Sequence, residues 1–442
     1  MAKKVAIMSA IIWGSGQLVN KEYLKALFFF LIQMLFIGVE LFTGTAAVIL
    51  GQVPPHFRNA GMFTRGIWGI ITLGEIERTT AAVLVFDHST MLMLDGLIAM
   101  AIMLGFAVIY QWNIRDAYNT RKQIEKGNVE SGRVYLKRLF NDSFEYIAIA
   151  PGLAFVVIFS ILPILFSFLA AFTNYNTHNI PPRHLVQWVG FQTFRDVFVV
   201  PVWNRTLIGV GIWTVIWAFA ATFLSYTVGF FQAIFLNSKY VRWAKIWRWL
   251  FILPWAIPSV VSMMLFRNFF VGTGVVNQIL MNIGLIDMPI SFYASIAWSR
   301  VVLLIVSTWL GFAWPMAMIT GVMTTLNQEI YEAASIDGAS SFQQFKRLTV
   351  PTILAAIAPL VIMSVAFNFN NFGIVYFITG GGPQNPNFIM AGHTDILITW
   401  VYRLTLTYRM YNFASVMSTF IFIVVASVSA WNLLRTRAFR EE

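Results

Sequence analysis

Eight apolar runs of bilayer length punctuate this 442-residue chain, near 24–50, 91–112, 147–172, 206–236, 249–270, 298–323, 352–377 and 412–434. A segment of about 20 residues satisfies its own backbone in hydrocarbon only as a helix; barrel strands are shorter and alternate. The pattern therefore predicts an all-α, polytopic helical membrane protein with eight transmembrane helices. The first and fourth runs are long enough to tilt or to extend beyond the bilayer, and Pro151 and Pro163 predict a kink in the third. Eight crossings place both termini on one side.

Composition agrees: 58% hydrophobic and 11% charged residues exclude a water-soluble globular protein. With the N-terminus inside, 20 of the 30 Lys and Arg fall in inner segments, whereas Val271–Ala297 holds none, so the positive-inside rule predicts cytoplasmic termini. The net charge of +11 thus records orientation. Arg133, Lys137 and Arg138, and Lys239, Arg242, Lys245 and Arg248, are expected to face anionic membrane lipid, and no nucleic acid is expected as a partner. The absence of cysteine excludes disulfides and thiolate metal sites. Lys3 and Lys4 precede only a short apolar stretch with no convincing cleavage site, so the N-terminus is expected to be retained.

A polar linker at 113–145, containing Arg115, Asp116, Arg121, Lys122, Glu125, Lys126, Gly127 and Gly132, separates an accessory region at 1–145 with two transmembrane helices from a six-helix core at 146–442. In the loop 51–90, Pro54-Pro55 and the alternation near Ala81 to Phe86 suit either short strands or a loosely packed loop.

The segment 325–351 is a polar island between two apolar runs. Thr325 to Gln328 reads as a capping box, Gly338 as a helix stop, Ser341 to Gln344 as a second box and Pro351 as the first residue of the next helix. Ala333 and Ala334 form a side without bulk beside Glu332 and Asp337, a surface suited to a groove on another protein. An ordinary cytoplasmic loop explains the local pattern equally well.

No lysine is followed by Ser or Thr, so the usual phosphate-cradling loop is missing and any ATPase must be a separate chain. The histidines at 56, 88, 178, 184 and 393 never fall at metal-ligand helical spacing; no metal and no catalytic residues are expected. The seventh run carries three asparagines, and Ser364, Phe367, Asn368 and Asn371 share one helical face. In the sixth run Ser307, Leu310, Gly311 and Trp314 share another, with Gly311 permitting close approach. Amides, hydroxyls and aromatic rings suit a sugar, although amides and small residues also bind helices to one another. Glu40, Asp95, Arg267 and Arg300 leave an ion relay as a further reading.

Glu332, Ala333, Ala334, Gly338, Leu348, Val350 and Pro351 follow the spacing EAA-x3-G-x9-I-x-LP, with Leu348 and Val350 as conservative departures. Trp309-Leu-Gly-Phe312, Phe367-Asn-Phe-Asn-Asn-Phe372 and Thr379-Gly-Gly-Gly-Pro383 add to it. On these residues the chain resembles MalF-type permease subunits of bacterial ABC sugar importers, well over 145–442 and by topology before that. The resemblance implies a type I ABC importer permease fold in the bacterial cytoplasmic membrane. It also implies one half of a pathway for maltose or maltodextrins. The implied partners are a MalG-like second permease, two MalK-like ATPases that use ATP and magnesium, and an extracellular solute-binding protein. The helix 329–337 becomes the coupling helix, with Glu332, Ala333, Ala334, Asp337 and Gly338 at the ATPase. The two faces above become the substrate site. Trp314 stands where the enterobacterial maltose subunit has tyrosine, and Ser307 where it has asparagine. Its large periplasmic insertion between spans three and four is replaced here by the short loop Thr173–Trp203. Another oligosaccharide, such as a galacto-oligosaccharide or cyclodextrin, is the runner-up; an ion-coupled transporter and an assembly-only subunit belong to other classes.

Overall fold

The computed structural model describes residues 1–44, 56–81, 83, 85–127, 144–146, 148–238 and 241–435. Pro54-Pro55, Gly132, Arg133, Lys137, Arg138, Lys239 and the tail after 435 lie outside the described residues. The chain forms two compact units, Met1–Thr193 and Phe194–Glu442. Among the described residues there are helices and two isolated β-bridges, Thr173 with Trp188 and Gln384 with Gly392, but no strand.

The first unit contains α1 (Ala2–Ile11), α2 (Ser15–Val19), α3 (Tyr23–Thr43), α4 (Met62–Thr72), α5 (Ser89–Glu125) and α6 (Phe144–Ala170). A polar cluster ties the N-terminal segment to α5. Gln17 Nε2 donates to Asn113 O at 2.8 Å, Asn113 Nδ2 donates to Ser9 O at 2.8 Å, and Lys25 pairs with Asp116 and Glu22. Gly14 makes the turn possible: its φ is +84°, and a Cβ there would fall 2.2 Å from Ala26 O. The ordered piece after α3 is the helix α4, and the described residues of 81–86 form no strand. Glu40 Oε2 accepts from Phe63 N at 2.8 Å at the start of α4, and Arg58 pairs with Asp87 at 3.2 Å. α4 buries Phe63, Gly66, Trp68 and Gly69, at a helical period.

The second unit is built on α7 (Pro201–Asn237), whose proline start suits a first turn and whose buried stripe includes Trp203, Trp213, Trp217, Ala221 and Ala233. α8 (Ala244–Ala256) and α9 (Ser259–Phe269) meet at 90°; Pro254 and Pro258 remove two backbone donors around that break. α10 (Ile296–Gly311) and α11 (Ala313–Thr324) meet at 43°. There Gly229 of α7 admits the bend: a Cβ would stand 2.8 Å from both Phe312 O and Met316 N. Then follow α12 (Gln328–Ile336), α13 (Ser341–Phe369), α14 (Phe372–Ile378), α15 (Leu397–Tyr402) and α16 (Tyr411–Arg435). Trp213, Trp217, Val302, Val306, Ile374 and Ile378 share one core cluster.

The predicted runs are mostly helical where described, broken at 257–258 and 370–371, and the count of eight crossings is not reached among the described residues. Among the described residues, five helices are long and apolar enough to cross a membrane, or up to seven if each bent pair is one span, and α16 contributes the shorter apolar stretch Tyr411–Ser427. The local signals of the polar island shift as well. Asn327, not Thr325, caps α12 by accepting from Glu329 N at 2.9 Å, while Thr325 Oγ1 donates back to Val322 O. The second capping box is Ser340 with Gln343, one residue earlier than the spacing suggested. Pro351 stands in the first turn of the α-helical stretch Val350–Phe369, one residue after its start. α13 runs through it after a π-helical turn at Phe345–Thr349, which accommodates the missing donor.

Candidate functional site

Proline and asparagine breaks leave a cavity of about 790 Å³ within the second unit, between α7, the α8–α9 elbow, the α10–α11 bend and the end of α13. That is within the roughly 300–1,000 Å³ of small-molecule sites. All eight residues singled out from sequence, Ser307, Leu310, Gly311, Trp314, Ser364, Phe367, Asn368 and Asn371, line it. α13 ends at Phe369 and α14 starts at Phe372, so the asparagines stand where the helical ladder is interrupted.

The amides are oriented by hydrogen bonds. Asn368 Nδ2 donates to Thr222 Oγ1 at 2.9 Å, Asn371 Nδ2 donates to Asn368 Oδ1 at 3.3 Å, and Trp217 Nε1 donates to Asn368 O at 3.1 Å. Ser364 Oγ and the Tyr226 hydroxyl lie 3.0 Å apart. Among the described residues, the hydroxyls of Ser225, Ser259 and Ser307 and the Oδ1 of Asn371 have no hydrogen-bond partner. Gly311 faces Ser225, and a Cβ would lie 2.7 Å from its Oγ. Phe367 is 70% and Trp314 42% exposed, so both present ring surface to the cavity they line.

Trp255 is the main residue missed by the sequence reading. Its ring centroid lies 5.7 Å from that of Trp314, and the elbow after Ala256 brings it into the wall. The Pro254-to-Pro258 spacing inside one apolar run was the available signal. Thr222, Ser225 and Tyr226 form a polar stripe on α7, legible as steps of three and one.

The intramembrane charges lie outside this cavity. Glu40 accepts from the start of α4, Asp95 stands 3.8 Å from Arg65, and Arg300 lies over Trp213 at 4.0 Å and donates to His393 O at 3.0 Å. Thr379–Pro383 packs beneath Asp395, which accepts from Gly392 N and Thr399 Oγ1 and pairs with Arg403 at 2.8 Å. Burial pushes the Asp395 carboxyl upward, against the pull of Arg403 and these hydrogen bonds.

On the other side of α13, Gly338 at φ +81° ends α12. Ala339 N donates to Ala334 O at 2.9 Å and Gly338 N to Ser335 O at 3.1 Å. Glu332, Ala333, Asp337 and Gly338 are exposed and Ala334 is half-buried. Tyr331 OH and Thr349 Oγ1, 2.9 Å apart, tie α12 to the base of α13, as does the bond from Gln344 Nε2 to Ser335 Oγ at 2.8 Å.

Residues 225–435 match the family of binding-protein-dependent transport system inner membrane components. The galactooligosaccharides transport system permease protein GanP of Bacillus subtilis (strain 168) is 36% identical over 100% of this chain and 99% of its own length. The chain is an ABC importer permease. The maltodextrin transport system permease protein MdxF of the same organism is 32% identical, covering 100% of this chain and 97% of its own. MalF, the maltose/maltodextrin permease protein of Escherichia coli (strain K12), is 31% identical over 60% of this chain and 52% of its own. The crystal structure of a bacterial ABC transporter that imports the acidic polysaccharide alginate shares the permease fold at a TM-score of 0.56 and 21% identity. The match covers 69% of this chain and 99% of that one. ABC permeases of this family are membrane components rather than enzymes, and the cavity and α12 are both in this chain's second unit.

Proposed function

We propose that this chain forms half of the translocation pathway of an ATP-driven importer of neutral oligosaccharides. The lining of the cavity carries this reading: amides, hydroxyls and aromatic rings converge, and among the described residues of its wall there is no carboxylate, ammonium, guanidinium or imidazole. Sugar hydroxyls pair with amide and hydroxyl groups, and the apolar face of a pyranose ring packs on Trp or Phe. A wall without ionisable relay groups argues against ion-coupled transport. The full-length relatives named for galactooligosaccharides and maltodextrins support the carbohydrate class. Maltodextrins are the series expected from sequence; galacto-oligosaccharides stand beside them on the 36% identical relative.

In this reading α12 docks on a partner ATPase through Glu332, Ala333, Ala334, Asp337 and Gly338. The complex contains a MalG-like permease, two MalK-like ATPases using ATP and magnesium, and an extracellular binding protein. Both termini face the cytoplasm. ATPase closure moves α12, and its ties to α13 transmit that motion to the asparagines. The test is ATP hydrolysis by the co-expressed complex in lipid nanodiscs with binding protein, over di- to tetrasaccharides of both series. Stimulation by either series supports the carbohydrate reading and names the substrate. Transport that survives replacement of Ser364, Asn368 and Asn371 by apolar residues overturns it.

A further inference from the structure

A second cavity, of about 460 Å³, adjoins the first along the same two helices. α9 gives Met263 to the inner cavity and Met264, Arg267 and Asn268 to the second; α14 gives Ile374 to the inner and Tyr376 to the second, and Phe377 lines both. At about 1.5 Å rise per residue, Arg267 stands roughly 6 Å along α9 from Met263, a displacement on the scale of one pyranose unit.

We propose that this second cavity is an outer sugar subsite, holding a further unit of the oligosaccharide whose first units occupy the inner cavity, and so setting a preference for chain length. The inference rests on the carbohydrate reading above. Arg267 and Asn268 make no side-chain hydrogen bond or ion pair among the described residues, so a guanidinium fork and an amide remain for vicinal hydroxyls. Their backbone is held from behind: Tyr293 OH donates to Arg267 O at 3.0 Å, and burial pushes that phenol up to about 12 despite Arg267 nearby, which keeps it a donor. Tyr376 is held by Phe372, stacked on one of its faces with centroids 4.8 Å apart, and by Tyr402, which meets it edge-on at 5.0 Å, so its other face is the one left for a ligand. A fixed aromatic beside a free fork is a stacking platform for a saccharide. Among the described residues no carboxylate pairs with Arg267, so its desolvation by a sugar breaks no ion pair there.

The experiment is uptake into proteoliposomes holding the whole complex, with tetrasaccharide and disaccharide of the series that stimulates ATP hydrolysis. Wild type is compared with Arg267→Gln, Asn268→Ala and Tyr376→Ala. The binding protein is common to all, so its own preference cancels in the ratio. The tetrasaccharide-to-disaccharide rate ratio is expected to fall about tenfold in Arg267→Gln and Tyr376→Ala, as for loss of a hydrogen bond to a charged group. An unchanged ratio in all three variants overturns the subsite, and so does loss of the second permease from the purified complex, which would make this surface a subunit interface. Asn371→Ala serves as the separate control. If it transports both lengths like wild type, the inner sugar site fails, whatever the outer variants do.

Discussion

Asn368 is where side-chain chemistry and helix geometry meet. Its amide donates to α7, its Oδ1 accepts from Asn371 and its carbonyl accepts from the Trp217 indole, so one residue straps the broken end of α13 to the core. Asn371 has no such bracing duty and keeps Oδ1 free for a ligand. The two substitutions should therefore differ. Asn371→Ala should lower sugar uptake about tenfold with normal assembly, whereas Asn368→Ala should also cost about 1 kcal/mol of stability, visible as earlier thermal unfolding of the purified complex. Equal unfolding temperatures for the two variants would contradict the bracing role. Gly381 makes a sharper case. At φ +83° a side chain is already disfavoured by about 1–2 kcal/mol, and its Cβ would lie 2.1 Å from Asp395 Oδ1. Gly381→Ala should open the Thr379–Asp395 loop to protease under conditions where the wild type resists cleavage.

At the scale of elements, sequence pattern reported composition faithfully and geometry poorly. The faces Ser307–Trp314 and Ser364–Asn371 were legible because a 3.6-residue period is local, and all eight residues line one cavity. Trp255 was not, because its position depends on a 90° elbow, and prolines announce a break without fixing its angle. Capping was displaced for a similar reason. Thr325 and Asn327 both have suitable side chains, and the choice follows from where α11 ends, which packing against α7 sets. The helix stop at Gly338 survived because only glycine takes φ +81° without strain. Gly338→Val should strain that turn, misdirect α12 and reduce sugar-stimulated ATP hydrolysis at least several-fold while ATPase binding persists. Unaltered stimulation would remove α12 from the coupling path. Asn327→Ala should have the milder effect of a lost cap, about 1 kcal/mol on helix stability, read as faster amide exchange over Glu329–Glu332.

For the whole molecule, orientation decides whether the cavity and α12 can work as one machine: the sugar must enter from outside and α12 must meet an ATPase inside. The distribution of Lys and Arg favours this arrangement, and the chain's lack of cysteine makes it directly measurable. A single cysteine at Met288, 78% exposed in the segment between α9 and α10, should react with a membrane-impermeant maleimide in intact cells. A cysteine at Ser335 or Ala333, both exposed on α12, should react only after permeabilisation. Labelling of α12 from outside would reverse the topology and remove any route from a cytoplasmic ATPase to the asparagines. The expected pattern gains a second arm once the ATPases are co-expressed: the cysteine on α12 should then become protected even in permeabilised cells, while the one at Met288 should not. Protection at α12 alone ties the docking surface to one side of the membrane and the two cavities to the path between the sides, and it does so without any assumption about which sugar is carried.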